Sequence, residues 1–196
     1  MKSSKSNTIY YTLLNYLKLW IGISGIIPEN STVKNIESQK DSLIVIKITV
    51  NTEKRMAENM LYTDIECNVR FIKNFDMFSN IIKQMKEYFN GERREFDIPY
   101  KLKVDGFRKK VLLATAQIPY GSVKTYREIA EKAGSPRAFR ACGSALANNP
   151  LPLLIPCHRV IRSDGNIGNF GAGAHVKEML LKLEGVKLHE GRLLKA

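Results

Sequence analysis

Cysteine is scarce in this chain: Cys67, Cys142 and Cys157 are the only three among 196 residues, and none are spaced C-x-x-C. An odd count without that spacing argues against a disulfide framework or a zinc knuckle and fits a reducing, cytoplasmic compartment. Long apolar runs are also missing. Lys2 and Lys5 precede an apolar stretch in the manner of a secretory leader, but Asn15 and Lys18 interrupt it. The longest run after Lys18, Leu19 to Ile27, is too short to span a bilayer and is expected in a core. No internal repeat or low-complexity segment stands out. Acidic residues are the third deficit: 19 Asp/Glu stand against 31 Lys/Arg, for a formal net charge of +12. Such an excess favours an acidic partner, of which nucleic acid is the commonest. It is uneven, with 15 Lys/Arg and 7 Asp/Glu in residues 105–196 against 16 and 12 in residues 1–104.

The length allows one large or two small domains, and the 44% hydrophobic content is enough for a core. Leu43 to Val50 reads as a strand with Ile44, Ile46, Ile48 and Val50 on one face at period two, and Val33 to Ile36 pairs with it as a hairpin. Ile81, Ile82, Met85, Tyr88 and Phe89 fall at helical spacing, which predicts a helix from Asp76 to Asn90, ended near Gly91. Arg93 to Lys103 has no helical stripe and reads as a connector, which puts a domain boundary between residues 104 and 105.

In the second half, Phe107, Val111, Ala114 and Ile118 define a helix stopped by Pro119-Tyr120-Gly121. Another begins at Thr125 and runs to about Lys132. Gly134 and Ser135 then form a turn, with Ser135 as N-cap and Pro136 at the first position of a third helix that runs to about Asn148. This outline fits a helix-turn-helix or an ordinary helical hairpin. Composition favours the former. The third helix puts Arg137, Arg140, Ala141 and Ser144 on one side, opposite Phe139, Cys142 and Leu146, so its backbone could approach a duplex closely. A last amphipathic helix carries Val176, Met179, Leu180 and Leu183 and ends at Glu184-Gly185.

The richest segment chemically is Pro156-Cys157-His158-Arg159-Val160. A thiol attacks as thiolate, and at a pKa near ~8.5 only about 3% is ionised at pH 7. A neighbouring base and the cations Arg159 and Arg162 would raise that fraction.

Together with Ile118-Pro119-Tyr120-Gly121, Thr125-Tyr126, Arg140-Ala141, Asn149-Pro150, Gly168-Asn169-Phe170, Lys177 and Leu183-Glu184-Gly185, this segment resembles the O6-alkylguanine-DNA alkyltransferases, the methylated-DNA–protein-cysteine methyltransferases. The resemblance covers about residues 105–188. It implies an α/β N-terminal domain, residues 1–104, built as a small antiparallel ribonuclease H-like sheet with helices. It implies a mainly α C-terminal domain, residues 105–196, with a winged helix-turn-helix. Cys157 would take the alkyl group from O6-alkylguanine, and less readily from O4-alkylthymine, and keep it. His158 would accept the thiol proton through a water, and Glu184 would orient the imidazole. Asn149 would hold the loop, and Tyr126 would donate to N3 of the leaving base. The carbonyls of Cys157 and Val160 would read the exocyclic amine. Arg140 would fill the space left by a flipped base. Arg137, Ala141, Ser144, Arg159, Phe170, Gly171 and Lys177 complete the substrate and DNA set. The implied partner is double-stranded DNA, entered through the minor groove by a monomer with no membrane association.

The family often has Tyr-Ser-Gly-Gly where this chain has Phe170-Gly171-Ala172-Gly173, so a serine hydroxyl and a phenolic hydroxyl are lost. This bears on substrate range and rate. The zinc site of some relatives needs ligands that the first half, with Cys67 and no histidine, does not supply, and no metal or other cofactor is expected. Three other readings stay open at this point: a lesion-flagging protein without transfer, a Cys/His/Glu hydrolase, and a transcription regulator.

Overall fold

The computed structural model describes residues 7–28, 42–63 and 69–194. Val33 to Ile36 and Cys67 lie outside them. Contacts divide the chain into two units, Met1–Asn90 with Phe96–Lys101, and Gly91–Glu95 with Leu102–Ala196.

The first unit is a four-stranded sheet with helices. Strands β1 (Asn7–Tyr16), β2 (Leu19–Ile26), β3 (Ile44–Asn51) and β4 (Val69–Lys73) stand in the order β3-β2-β1-β4. β1 and β2 form a hairpin through Leu17 and Lys18, whose φ values of +48° and +62° suit a two-residue turn with the twist of the strands. The sheet is mixed, whereas an antiparallel one was expected: β4 lies parallel to β1. The reason is helix α1 (Lys54–Leu61), which intervenes between β3 and β4 and packs on β2 and β3. A helical crossover returns the chain in the same direction.

The burial of β3 also differs from a simple alternation. Val45, Ile48 and Val50 are in the core, while Ile44 and Ile46 are only half-buried. The register shifts opposite Ser24/Gly25, so one extra residue of β3 is accommodated in a bulge and the inward face changes parity there. The predicted helix of the connector side is a single 3-10 turn, Asp76–Phe78, continued by α2 (Ser79–Phe89). Gln84 on α2 exchanges two 2.9 Å hydrogen bonds with the backbone of Asp97. Val45 and the backbone of Pro99 and Lys101 likewise bond at 2.9 and 2.8 Å, so the segment 96–101 is bound as an edge of this unit.

In the second unit α3 (Gly106–Ala116), α4 (Tyr126–Lys132) and α5 (Phe139–Ala147) pack on one another. Val111, Leu112, Ile129, Ala130, Cys142 and Leu146 are buried. α4 starts on a capping box: Thr125 Oγ1 accepts from Glu128 N at 3.2 Å, and Glu128 Oε2 accepts from Thr125 N at 2.7 Å. It ends on a Schellman pair, Ser135 N to Ala130 O and Gly134 N to Glu131 O, both 2.9 Å.

Ser135 is not the N-cap of α5, as expected, but the first residue of a further turn closed by Ala138 N to Ser135 O at 2.9 Å. Pro136 occupies that turn, and the helix begins only at Phe139. Arg137 therefore precedes the helix. Phe139 is 42% exposed and lies on the open side with Arg140, Ala141 and Ser144, not opposite them.

Strands β5 (Lys124–Thr125) and β6 (Val160–Ile161) pair in parallel. Helix α6 (Ala174–Leu183) follows, and β7 (Leu188–His189) and β8 (Arg192–Leu193) close the chain as an antiparallel hairpin. No helix among the described residues is long and apolar enough to cross a membrane.

Among the described glycines of the first unit Gly22 is the most crowded: a methyl group there would meet Thr49 Oγ1 at 2.4 Å and Leu61 Cδ1 at 2.9 Å. Thr49 Oγ1 is fixed by its 2.7 Å bond to Ala57 O, so α1 cannot yield without losing it. Gly22→Ala is expected to destabilise the protein by about 1–3 kcal/mol. Denaturant unfolding would check this, and an unchanged midpoint would mean that α1 is free to move off the sheet.

Candidate active site

Cys157, His158 and Arg159 form a 3-10 turn between Pro156 and β6. The loop before it is closed by Asn149. Its Nδ2 donates to Ile155 O at 2.8 Å and to Cys157 Sγ at 3.2 Å, and its Oδ1 accepts from Leu151 N at 3.0 Å. Cys157 N donates to Ile155 O at 2.8 Å. One amide side chain thus fixes both the loop and the sulfur.

Glu184, the residue that caps α6, gathers the rest. His158 Nε2 lies 2.8 Å from Glu184 Oε1. Arg159 binds the same carboxylate with two nitrogens, Nε to Oε2 at 2.8 Å and Nη2 to Oε1 at 2.9 Å, and gives Nη1 to Ile118 O at 2.6 Å. Gly121 N donates to Oε2 at 3.1 Å. Gly121 has a φ of +72°, and a methyl group there would meet Glu184 O at 2.9 Å, so the turn after Ile118-Pro119 admits glycine for two reasons. Tyr120 donates its hydroxyl to Leu183 O at 3.0 Å, and its ring faces the Arg159 guanidinium at 5.8 Å.

Burial governs the charges. It pushes the Glu184 carboxyl up, but the hydrogen bonds from His158 and Arg159 outweigh it and carry the group down to about 2. Burial lowers the His158 imidazole against the pull of Glu184, so the ring is neutral near pH 7. A neutral imidazole that donates Nε2–H to Glu184 keeps its lone pair on Nδ1. Burial raises the Cys157 thiol, with the Asn149 hydrogen bond and the Lys177 charge acting the other way. The resting sulfur is a thiol. The expectation that Arg159 helps to ionise it is corrected by geometry, since that guanidinium is engaged with Glu184 and Ile118.

Lys177 is 1% exposed. Its Nζ donates to Val160 O at 2.6 Å and stands over the Tyr126 ring, 5.8 Å from the centroid. Burial lowers it to about 8, with the nearby Cys157 opposing. Tyr126, half-buried at the start of α4, is raised by burial first and then by Cys157 and Cys142, so it remains a protonated donor. A methyl group on Gly168 would stand 3.6 Å from the Tyr126 hydroxyl. The Phe170 ring meets the His158 ring edge-on at 6.5 Å.

The structure therefore brings Cys157, His158, Glu184, Asn149, Tyr126, Val160, Phe170 and Lys177 into one neighbourhood. Arg137, Arg140, Ala141, Ser144 and Gly171 are exposed. Two residues of the expected DNA-contacting set face inward: Arg159 is bound to Glu184, and Lys177 to Val160 O. Sequence reasoning missed the parts that Tyr120, Gly121 and Ile118 O play around Glu184, because backbone donors and acceptors leave no mark on residue type. The burial of Lys177 did leave one, since it lies on the same helical face as Val176, Leu180 and Leu181.

A thiol held by an amide beside a His–Glu pair thus sits on a unit that exposes a helical hairpin with small residues and arginine. The comparisons give the class of protein. Residues 106–186 match the model of the 6-O-methylguanine DNA methyltransferase DNA-binding domain, and residues 52–102 that of its ribonuclease-like domain. The methylated-DNA–protein-cysteine methyltransferase of Methanosarcina barkeri is 43% identical over 120 residues, 61% of this chain and 76% of that protein. That of Metallosphaera sedula is 40% identical over 121 residues, 61% and 76%. A crystal structure of Mycobacterium tuberculosis OGT in complex with DNA superposes with a TM-score of 0.70 at 27% identity, covering 90% of this chain and 93% of that one. The chain belongs to the O6-alkylguanine-DNA alkyltransferase family.

The Glu184 carboxyl, depressed to about 2 in the folded chain against about 4.3 when unfolded, stabilises the fold above the higher value. That contribution is lost as pH falls through about 2. Glu184→Gln is expected to cost about 3–5 kcal/mol at pH 7, because Arg159 is left buried without its counter-charge. It should also flatten the decline in stability between about pH 4.3 and 2. Denaturant midpoints at stepped pH would check both, and an acid limb unchanged in the variant would remove Glu184 as its source.

Proposed function

We propose that this protein repairs DNA by moving the alkyl group of O6-alkylguanine, and less readily of O4-alkylthymine, onto Cys157 in a single irreversible step. The observation that carries the reading is the His158–Glu184 pair held beside a buried, amide-bound Cys157 within a helix-turn-helix unit. The target carbon lies inside the duplex, so the base must leave the stack, at a cost of a few kcal/mol. Arg140, exposed at the start of α5 with its guanidinium 6.0 Å from the Phe139 ring centroid, fills the gap. Arg137, Ala141 and Ser144 lie along the minor groove.

His158, through a water, takes the thiol proton at its lone-pair nitrogen, and Glu184 stabilises the resulting imidazolium. The sulfur lone pair forms the S–C bond while the C–O6 bond breaks, and its electrons pass to the guanine ring. Tyr126 donates to N3 of that developing anion. Lys177 supplies a positive charge beside the sulfur and holds Val160 O. Val160 and Cys157 present carbonyls to the exocyclic amine, and Phe170 and Gly171 bound the base. Arg159 supports the chemistry through Glu184 and makes no contact with DNA. The chain works as a monomer on double-stranded DNA, in the cytoplasm and at the nucleoid in a prokaryote, without a cofactor.

A thioether has no good leaving group, so the protein is consumed. With excess methylated duplex, transfer should stop at one methyl per chain, on Cys157, with guanine restored. Cys157→Ser should abolish transfer and leave DNA binding intact. Peptide mass mapping and a methyl count test both. Turnover beyond one equivalent would favour hydrolysis through a thioester, and methyl on Cys67 or Cys142 would reassign the acceptor.

Arg140→Ala should slow repair of duplex by roughly tenfold or more, in line with a base-flipping cost of a few kcal/mol, and leave reaction with free O6-benzylguanine within about twofold. Equal losses on both substrates would assign Arg140 to the chemistry or the fold instead.

A further inference from the structure

The β7–β8 hairpin has no part in the chemistry above, and it starts where the match to the DNA-binding-domain model ends, at residue 186. Leu188 pairs with Leu193 and His189 with Arg192. The turn residues Glu190 and Gly191 have φ values of +45° and +69°, which suit a tight two-residue hairpin. The outer side of β8 is itself paired. Leu193 N donates to Gly165 O and Ile167 N to Gly191 O, both at 2.9 Å, and Asn166 bridges Arg192 in antiparallel fashion. On the far side of that segment Arg162 N donates to Asn166 O at 2.9 Å, and the chain runs back into β6, which pairs with β5. One hydrogen-bonded ribbon thus runs β5, β6, 165–167, β8, β7. Leu188 and Leu193 seat it on Ile161, Ile167, Leu181 and Val186.

This ribbon bears the walls of the base site. β5 leads directly into Tyr126. Gly168 follows Ile167, with its N–H held by Asn166 Oδ1 at 2.8 Å, and a Cβ placed on it would lie 3.6 Å from the Tyr126 hydroxyl. Phe170, two residues on, meets His158. Without the hairpin, 165–167 would lose its bonds to Gly191 and Leu193 and be held only from the Arg162 side.

We propose that the C-terminal hairpin, residues 187–194, is a positioning element for the alkylated base, holding Gly168 and Phe170 at their spacing from Tyr126 and His158. The proposal rests on the alkyl-transfer reading. It acts on base binding and not on the sulfur, because the hairpin lies at the far edge of the ribbon, while β6, Asn149 and Glu184 hold the Cys157 turn without touching it.

Leu193→Pro removes the single N–H that reaches Gly165 while keeping an apolar side chain, and Leu193→Ile keeps both. Leu188→Ala weakens the apolar seat from the other strand. The full-length variants are reacted with free O6-benzylguanine, and saturation of the alkylation rate gives KI and the limiting rate kinact, with melting followed in parallel. For Leu193→Pro, KI should rise about fivefold with kinact within about twofold, and Leu193→Ile should match the parent. Leu188→Ala should shift KI in the same direction, and it decides the matter if Leu193→Pro does not fold. Unchanged KI in the folded variants, or a loss confined to kinact, would overturn the proposal. If the parent chain itself transfers no benzyl group to Cys157, the alkyl-transfer reading fails; if it does and the variants behave identically, only the role of the hairpin fails.

Discussion

The catalytic half of this molecule depends on one buried carboxylate. Glu184 receives His158, two nitrogens of Arg159 and the Gly121 amide, so two segments distant from it and from each other in sequence meet on its two oxygens. A lone carboxylate at such a site would lose several kcal/mol of hydration. Here the guanidinium supplies both the counter-charge and a planar fork that matches the carboxylate. A lysine could supply the charge but not the two parallel bonds, and it could not also reach Ile118 O. The pair therefore works as a fastener that happens to be ionic, in which the Arg159 charge offsets part of the pull that Glu184 exerts on the imidazole.

That balance has a consequence for the sulfur. With Arg159 neutralised, Lys177 is the cation whose charge reaches Cys157, and its own hydrogen bond goes to a neutral carbonyl. Burial works against ionising either group: the thiol is raised and the ammonium lowered to about 8. A resting thiol in an apolar setting is a poor target for oxidants and stray electrophiles, which would suit the single-use nucleophile proposed above. In that proposal reactivity comes with the substrate, when His158 would remove the proton and the developing charge would be met by donors already in place.

Much of the site was legible because the residues that carry it sit in contiguous motifs. The Pro156–Val160 segment could be read from residue type, while Tyr126 and Glu184 entered through the motifs shared with the alkyltransferases. The fold of the first unit was less so. The β1–β2 hairpin turns on Leu17 and Lys18, residues that seldom adopt positive φ, so no Asn-Gly or Asp-Gly signal announced it. The bulge in β3 reversed an alternation that the sequence displays cleanly, because a bulge depends on the partner strand. Ser135-Pro136 has the composition of a helix start and of a tight turn alike, and tertiary packing chose the turn. Arg159 was placed with the substrate and DNA set, but the Glu184 carboxylate and Ile118 O, both distant in sequence, draw it inward.

The two-residue pairing of β5 with β6 has a bearing on which lengths of chain this protein can tolerate. Lys124 lies opposite Val160 and Thr125 opposite Ile161, so Tyr126 and the Cys157–Arg159 turn leave the same short ladder in fixed register. Moving either strand by one residue would displace the phenol relative to the sulfur by about 3.3 Å and reverse its side-chain faces. Reacting groups lose most of their advantage with far smaller errors. An inserted or deleted residue between Thr125 and Tyr126, or between Arg159 and Val160, would thus disturb the site more than most substitutions at the same positions.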